Sequence, residues 1–321
     1  MVPSDSTPPI ADFDSAMIIA GQLEAACATD PRVAAIEPRE LIRHVPGKRA
    51  IFHAGFEGHD AVVRLCLTPE DGSPAREWAE MQRLWPYMKE GCMRIARPLF
   101  ACPAHGIVIT AMVPGVPLLK HLQSLTPAAR TPYLPAAANW LRQSTSMTEG
   151  WHVASAKGWL RRARAASETQ PWDNLARYES GIVTEMERLA EQIEGSQWRT
   201  AISHGDFHPN NLITKGNRLT GIDIGGSRKM PIYKDMARFL MHLGRRRVNM
   251  GGPLLYGVNR AGFEAFCTAF RLEPAERDVF LPFMLGFEAL IRVENTALPP
   301  QRIARAEKAY RDLLADLRST P

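Results

Sequence analysis

The 321-residue sequence predicts an α+β protein in two lobes, a small antiparallel-sheet N-lobe followed by a larger, mainly helical C-lobe. Three observations carry that expectation. Three short β-prone runs separated by turn residues follow one another between Glu40 and Leu67. Beyond Pro117, apolar residues recur at steps of three and four. Between those helices lies His204-Gly205-Asp206-Phe207-His208-Pro209-Asn210-Asn211-Leu212, followed by a second short strand pair and Asp223. Hydrophobic residues make up 45% and charged residues 23%, an ordinary globular composition, and the chain is too long for one small core.

In chain order, residues 13 to 29 read as an amphipathic helix that stops at Asp30-Pro31, because the residue before a proline disfavours the helical region. The meander follows as Glu40–Val45, Arg49–Phe56 and Asp60–Leu67, with turns at Pro46-Gly47-Lys48 and Glu57-Gly58-His59-Asp60. A helix is expected from about Pro74, with Ser73 as its N-cap. Pro98–Cys102 and Gly106–Met112 read as a further hairpin. Thr126-Pro127 starts a helix, and Leu175, Tyr178, Ile182, Met186, Leu189 and Ile193 mark the core stripe of a long one. Helices over about 260–271, 275–293 and 300–318 complete the chain. The expected boundaries are an N-terminal helical extension over 1–39, the N-lobe over 40–112 and the C-lobe over 113–321.

Several classes of function are disfavoured. A net charge of +5, without basic residues and aromatics interleaved on one element, does not suit a nucleic-acid binder. The longest apolar run, Gly106 to Leu119, is interrupted by Pro114 and Pro117 and is too short to span a bilayer. Residues 1–12 have neither the basic start nor the apolar centre of a secretory leader, and the five cysteines show no metal-type pairing. A cytoplasmic protein with reduced thiols is the expectation.

The candidate chemistry is concentrated at Asp206, Asn211 and Asp223. A carboxylate and an amide five residues apart on one loop can divide two duties, with Asp206 accepting the proton of a hydroxyl and the Asn211 amide oxygen ligating a metal. Leu212-Ile213-Thr214 and Leu219-Thr220-Gly221-Ile222 flank a turn of hairpin length that would return Asp223 to Asn211. An amide and one or two carboxylate oxygens suit Mg²⁺, which takes oxygen ligands and completes its shell with water and phosphate.

This pattern resembles the catalytic and metal loops of the protein-kinase-like superfamily, and His204–Leu212 is most similar to the aminoglycoside phosphotransferase and choline kinase branch, the phosphotransferase enzyme family. His208 stands where protein kinases carry a Lys two residues after the catalytic Asp. The resemblance spans roughly residues 40–240 and implies a two-lobed protein-kinase-like fold and a kinase that binds ATP and Mg²⁺. It places Asp206 as catalytic base and Asn211 and Asp223 as metal ligands; His204 either fixes the loop or moves protons.

By the same resemblance Arg64 holds the place of the nucleotide-binding strand Lys, with Glu77 as its partner ahead of Glu80. Lys48 either reaches the phosphates from its one-glycine turn or is a solvated turn residue. The adenine edge would meet the backbone of Ala111, Met112 and Val113, and Asp235 would buttress the catalytic loop.

The implied acceptor is a hydroxyl of a small molecule such as a sugar or amino alcohol. The basic clusters Lys157, Arg161, Arg162, Arg164 and Arg245-Arg246-Arg247 are either solvated faces or the mark of an anionic acceptor. Two other readings stay open: a pseudokinase-type nucleotide-binding regulator, suggested by Arg64 and the poor glycine turn, and a kinase acting on a protein or glycolipid.

Overall fold

The computed structural model describes residues 13–246, 248, 250–292 and 298–320. The chain divides into two compact units, one running through Gly115 and joined by Lys215–Ser227, the other made of Val116–Thr214 and the chain from Arg228 onward.

The first unit is built on a five-stranded antiparallel sheet, in spatial order Ile36–Val45, Arg49–Phe56, His59–Cys66, Ile107–Ala111 and Pro98–Cys102. Alternation decides its faces. Phe52, Ala54, Phe56, Ala61, Val63 and Leu65 point to one side and pack with Ala26 and Val33 from the N-terminal segment. The Phe13–Thr29 helix is tied down where Gln22 donates to the Cys66 and His105 carbonyls, at 2.7 and 2.9 Å. Arg64 lies one residue out of phase with Val63 and Leu65 and therefore belongs to the opposite face. There it faces the Ser73–Met88 helix, which buries Glu77, Glu80, Met81, Leu84 and Met88.

Two local expectations need correction. The first strand begins at Ile36, four residues before Glu40, because Ile36 pairs with Phe56 and the ladder absorbs a register shift between Pro38 and Glu40. Ser73 is the first helical residue rather than the cap, since the Asp71 carboxylate takes its N–H at 2.6 Å.

In the second unit, the Asp173–Ile193 helix buries Leu175, Ile182, Met186, Leu189 and Ile193, whereas Tyr178 is half-buried and Glu179 goes inside. The Leu281–Leu290 helix approaches it closely at Gly286, where a Cβ would stand 2.9 Å from Met186 Cγ. The expected 275–293 helix opens with a wider i→i+5 turn over Glu276–Phe280, and its last residue lies outside those described. The helix expected at Thr126-Pro127 is one short turn, Pro127–Arg130, before a longer Tyr133–Thr145 helix.

The strand Gln197–Ser203 is central in a three-stranded sheet with Gly150–Val153 and Arg228–Pro231. A buried bidentate pair from Arg199 to Glu276, at 2.5 and 2.8 Å, braces it, and the Tyr233 hydroxyl donates to the same carboxylate. The following helix, Tyr233–Arg245, is buried from Tyr233 through Leu243, including Lys234, Asp235, Arg238 and His242. Those four charged or titratable side chains need partners in the interior. Among the described residues no helix is long and apolar enough to cross a membrane.

Candidate functional site

The His204–Leu212 loop is anchored from beneath by an aromatic column. Phe207 is wholly buried and stacks on Trp140, with centroids 5.5 Å apart, and on Phe239, at 5.2 Å, which meets Phe266 edge-on. Each such pair contributes about 0.5–1.5 kcal/mol beyond its buried area, enough to fix the loop's seat. The buried His204 ring lies beside the same column, 6.1 Å from Trp140 and 5.9 Å from Phe207.

Hydrogen bonds then fix the backbone around Asp206. Asp235 Oδ2 accepts the Gly205 N–H at 2.8 Å and the Ser203 hydroxyl at 2.7 Å, while Lys234 donates to the Gly205 carbonyl at 2.6 Å. Gly205 has φ 84°, the left-handed region where a side chain would strain the turn. Asn211 Nδ2 donates to the Asp206 carbonyl at 3.0 Å, which spends the amide's nitrogen and leaves its oxygen as an available ligand.

The Asp206 side chain is 46% exposed. Its Oδ1 accepts from Arg238 Nε at 2.9 Å and faces Arg292 Nη2 at 3.6 Å, and its Oδ2 lies 3.4 Å from His208 Nε2. Burial alone would raise this carboxyl, but the His208 interaction and the Arg238 charge outweigh it and hold the group well below the usual carboxylate range. His208 stacks on His242, centroids 4.5 Å apart. Burial, then the charges of His208, Arg238 and Arg246, push His242 down to about 3, so it is neutral at ordinary pH. Beneath them Glu288, fully buried, lies 3.5 Å from Lys234 and 3.9 Å from both Arg238 and Arg292.

A separate constellation occupies the first unit. Arg64 Nη1 donates to Glu77 Oε2 at 3.0 Å, and its Nη2 contacts Asp223 Oδ1. Burial works against the guanidinium's charge, but Glu77 and Asp223 more than compensate and raise its pKa. Burial also pushes Glu77 up, partly offset by Arg64. Glu80, the competing candidate, bonds bidentately to Arg83 three residues on. Asp223 has φ 59°, a backbone conformation uncommon outside glycine, and Gly225 passes so close that a Cβ there would be 2.7 Å from Glu77 Oε2.

Of the three residues expected along the nucleotide edge, Ala111 and Met112 spend their N–H groups on the Arg97 and Asp60 carbonyls, at 2.9 and 2.8 Å. The Val113 N–H makes no hydrogen bond among the described residues. All three line a cavity of about 270 Å³ that Lys48, Arg64 and Glu77 do not line. Lys48 sits exposed in its turn, beside Gly47 with φ 67°.

The basic clusters divide. Lys157 and Arg164 pair with Glu194 and Glu187, Arg162 lies over the Trp159 and Phe287 rings, and Arg161 is exposed. Arg245 donates to the Ala289 carbonyl at 2.6 Å, and Arg246 is exposed; Arg247 lies outside the described residues.

Sequence reasoning missed Arg238, Glu288 and Arg292 around Asp206. A signal existed for each. Arg238 interrupts the apolar run after Asp235, and Glu288 is the sole acid in Phe283-Met284-Leu285-Gly286-Phe287-Glu288-Ala289-Leu290, with Arg292 one turn beyond. Charges inside buried helices point to partners.

The fold is α+β, with an antiparallel-sheet N-terminal region and a helical C-terminal part, the arrangement found in solved protein-kinase-like phosphotransferases. Residues 114–266 match the family model described as the phosphotransferase enzyme family. The resemblance read from His204–Leu212 is borne out by that match, which covers just under half of the chain.

Solved structures of similar fold include a glucosamine kinase in complex with glucosamine, ADP and inorganic phosphate (15% identity, 93% of this chain and 87% of that one covered, TM-score 0.60). A second is described as a putative aminoglycoside phosphotransferase from Ralstonia eutropha JMP134 (14%, 94% and 99%, 0.58). A third is a choline/ethanolamine kinase family protein from Mesorhizobium loti (16%, 95% and 96%, 0.52). No curated protein sequence matches the chain.

Proposed function

We propose that this chain transfers the γ-phosphoryl group of ATP to a hydroxyl of a small molecule, with Asp206 receiving the hydroxyl proton. The observation that carries this reading is the half-exposed Asp206 carboxylate on a loop whose backbone is pinned by Asp235, Lys234 and Asn211. A carboxylate held so far below its usual range is a weak base at rest. That suits a loose phosphoryl-transfer transition state, in which orienting the nucleophile matters more than removing its proton early.

Asn211 and Asp223 would hold Mg²⁺. Each offers an oxygen of the kind the ion takes: the Asn211 amide oxygen, with its Nδ2 engaged elsewhere, and the Asp223 carboxylate. When bound, the ion would neutralise charge on the phosphates. Arg64, oriented by Glu77, would turn its guanidinium toward phosphate oxygens, and the Val113 N–H would receive the adenine edge. A second reading, a nucleotide-binding regulator, is favoured by the Arg64 contact with Asp223, which takes up a carboxylate that turnover requires.

ADP release with ATP and Mg²⁺ against a panel of hydroxylated metabolites separates the two. The phosphotransferase reading expects one acceptor class to stimulate release, and Asp206→Asn to cut that turnover roughly 10²–10⁴-fold while nucleotide binding persists. Binding without stimulation by any acceptor supports the regulator instead.

A further inference from the structure

Beside the exposed Asp206 carboxylate stands a second guanidinium whose hydrogen-bonding capacity is largely unspent among the described residues. Arg292 Nη2 is 3.6 Å from Asp206 Oδ1 and Arg292 Nε is 3.9 Å from Glu288 Oε2, both beyond hydrogen-bonding distance. Its Nε is buried and has no hydrogen-bond partner among the described residues, yet the side chain as a whole is 39% exposed. A guanidinium carries five donors in a planar fork that matches two oxygens of a carboxylate or phosphate.

The surrounding charge favours the same kind of ligand. Lys234 is matched by Asp235 at 3.6 Å and Glu288 at 3.5 Å, and Arg238 by Asp206 at 2.9 Å. Arg245 bonds to a carbonyl and to the Tyr310 hydroxyl, and neither it nor Arg246 is ion-paired with a carboxylate among the described residues. Burial first, then the charges of Arg238 and Arg245, lower the Arg292 pKa despite Glu288 and Asp206. Glu288 is fully buried and lies beneath the guanidinium groups, so it cannot serve as an open counter-ion for an amine.

We propose that the acceptor bears an anionic group, a carboxylate or a phosphate, a few atoms from its reactive hydroxyl, and that Arg292 binds that group while Asp206 holds the hydroxyl. The proposal rests on the phosphotransferase reading and names its substrate class. The gap between Arg292 Nη2 and Asp206 Oδ1 suits a hydroxyl roughly one to three carbons from the anion, each end making an ordinary charge-assisted hydrogen bond. In the reaction the acceptor oxygen bonds to the γ-phosphorus as the bond from that phosphorus to the bridging oxygen of ATP breaks. The electron pair leaves with ADP, and the hydroxyl proton passes to Asp206. An acceptor carrying an ammonium near its hydroxyl would meet Arg238 and Arg292 at like charge.

The test measures ADP release by wild type and Arg292→Gln with glycerate, glycerol 3-phosphate, gluconate and glucose 6-phosphate beside glycerol, glucose, glucosamine and ethanolamine. Calorimetric titration of the four anions and of ATP accompanies it. The expected result is a preference of at least tenfold in kcat/KM for one or more anions, roughly what a charge-assisted pair supplies. Arg292→Gln should raise the KM for those anions about 10–100-fold with ATP affinity kept, and Arg292→Lys should recover part of the loss. The carboxylate and phosphate arms show which anion the site takes. Preference for neutral or amine acceptors, or a KM rise shared by all acceptors, overturns the proposal. Anion binding that disappears in Arg292→Gln without ADP release from any acceptor would uphold the anion site and remove the phosphotransferase reading. Absence of both anion binding and ADP release would overturn the proposal.

Discussion

Asp223 and Asp206 stand in opposite charge surroundings. In the first unit one guanidinium, Arg64, is shared by two carboxylates, Glu77 and Asp223. In the second, one exposed carboxylate, Asp206, is faced by two guanidiniums, Arg238 and Arg292. In the first arrangement two carboxylates outnumber one guanidinium, which suits a cation. The second has donors to spare and is suited to an anion. Under the proposed function the two aspartates would serve different chemistry because their neighbours differ, not because the carboxylates do.

Breaking the first constellation should have the larger effect on stability. Arg64→Ala leaves Glu77 buried without its counter-charge, and unfolding measured in denaturant should show a loss of about 3–5 kcal/mol. Arg64→Lys keeps the charge without the fork and should lose less.

Arg238→Gln is the matching break in the second constellation. Asp206 is open to water and Glu288 keeps Lys234 and Arg292, so the loss should be nearer 1–2 kcal/mol. A larger loss than for Arg64→Ala would void the comparison.

The third effect is acid sensitivity. His242 is pushed down to about 3 in the folded chain and titrates near 6.5 when unfolded. Between those values the unfolded chain binds the proton and the native one does not, so stability falls as pH drops from about 6.5 toward 3. His242→Gln should flatten that fall in denaturation midpoints compared at pH 7.5 and pH 5.

Much of this was legible in the sequence. The meander and the Asp173–Ile193 stripe were readable because strand and helix periods differ, and Asp206 with Asn211 because both lie on one short loop. The choice of Glu77 over Glu80 needed the helix's rotation, which sends Glu77 to Arg64 and Glu80 to its own neighbour Arg83. Ser73 was misread because Asp71 competes for the same N–H. The guanidinium groups at Asp206 were hidden for another reason. Arg238 is 32 residues away and Arg292 further still, and only the packing of two buried helices brings them to the loop.

The central claim is the division of labour between the two aspartates. Calorimetric titration of ADP with Mg²⁺ into wild type, Asp223→Asn and Asp206→Asn tests it most directly. The account predicts nucleotide binding weakened at least roughly tenfold by Asp223→Asn and left near wild type by Asp206→Asn. Equal losses in both variants, or no binding by the wild type, would contradict it.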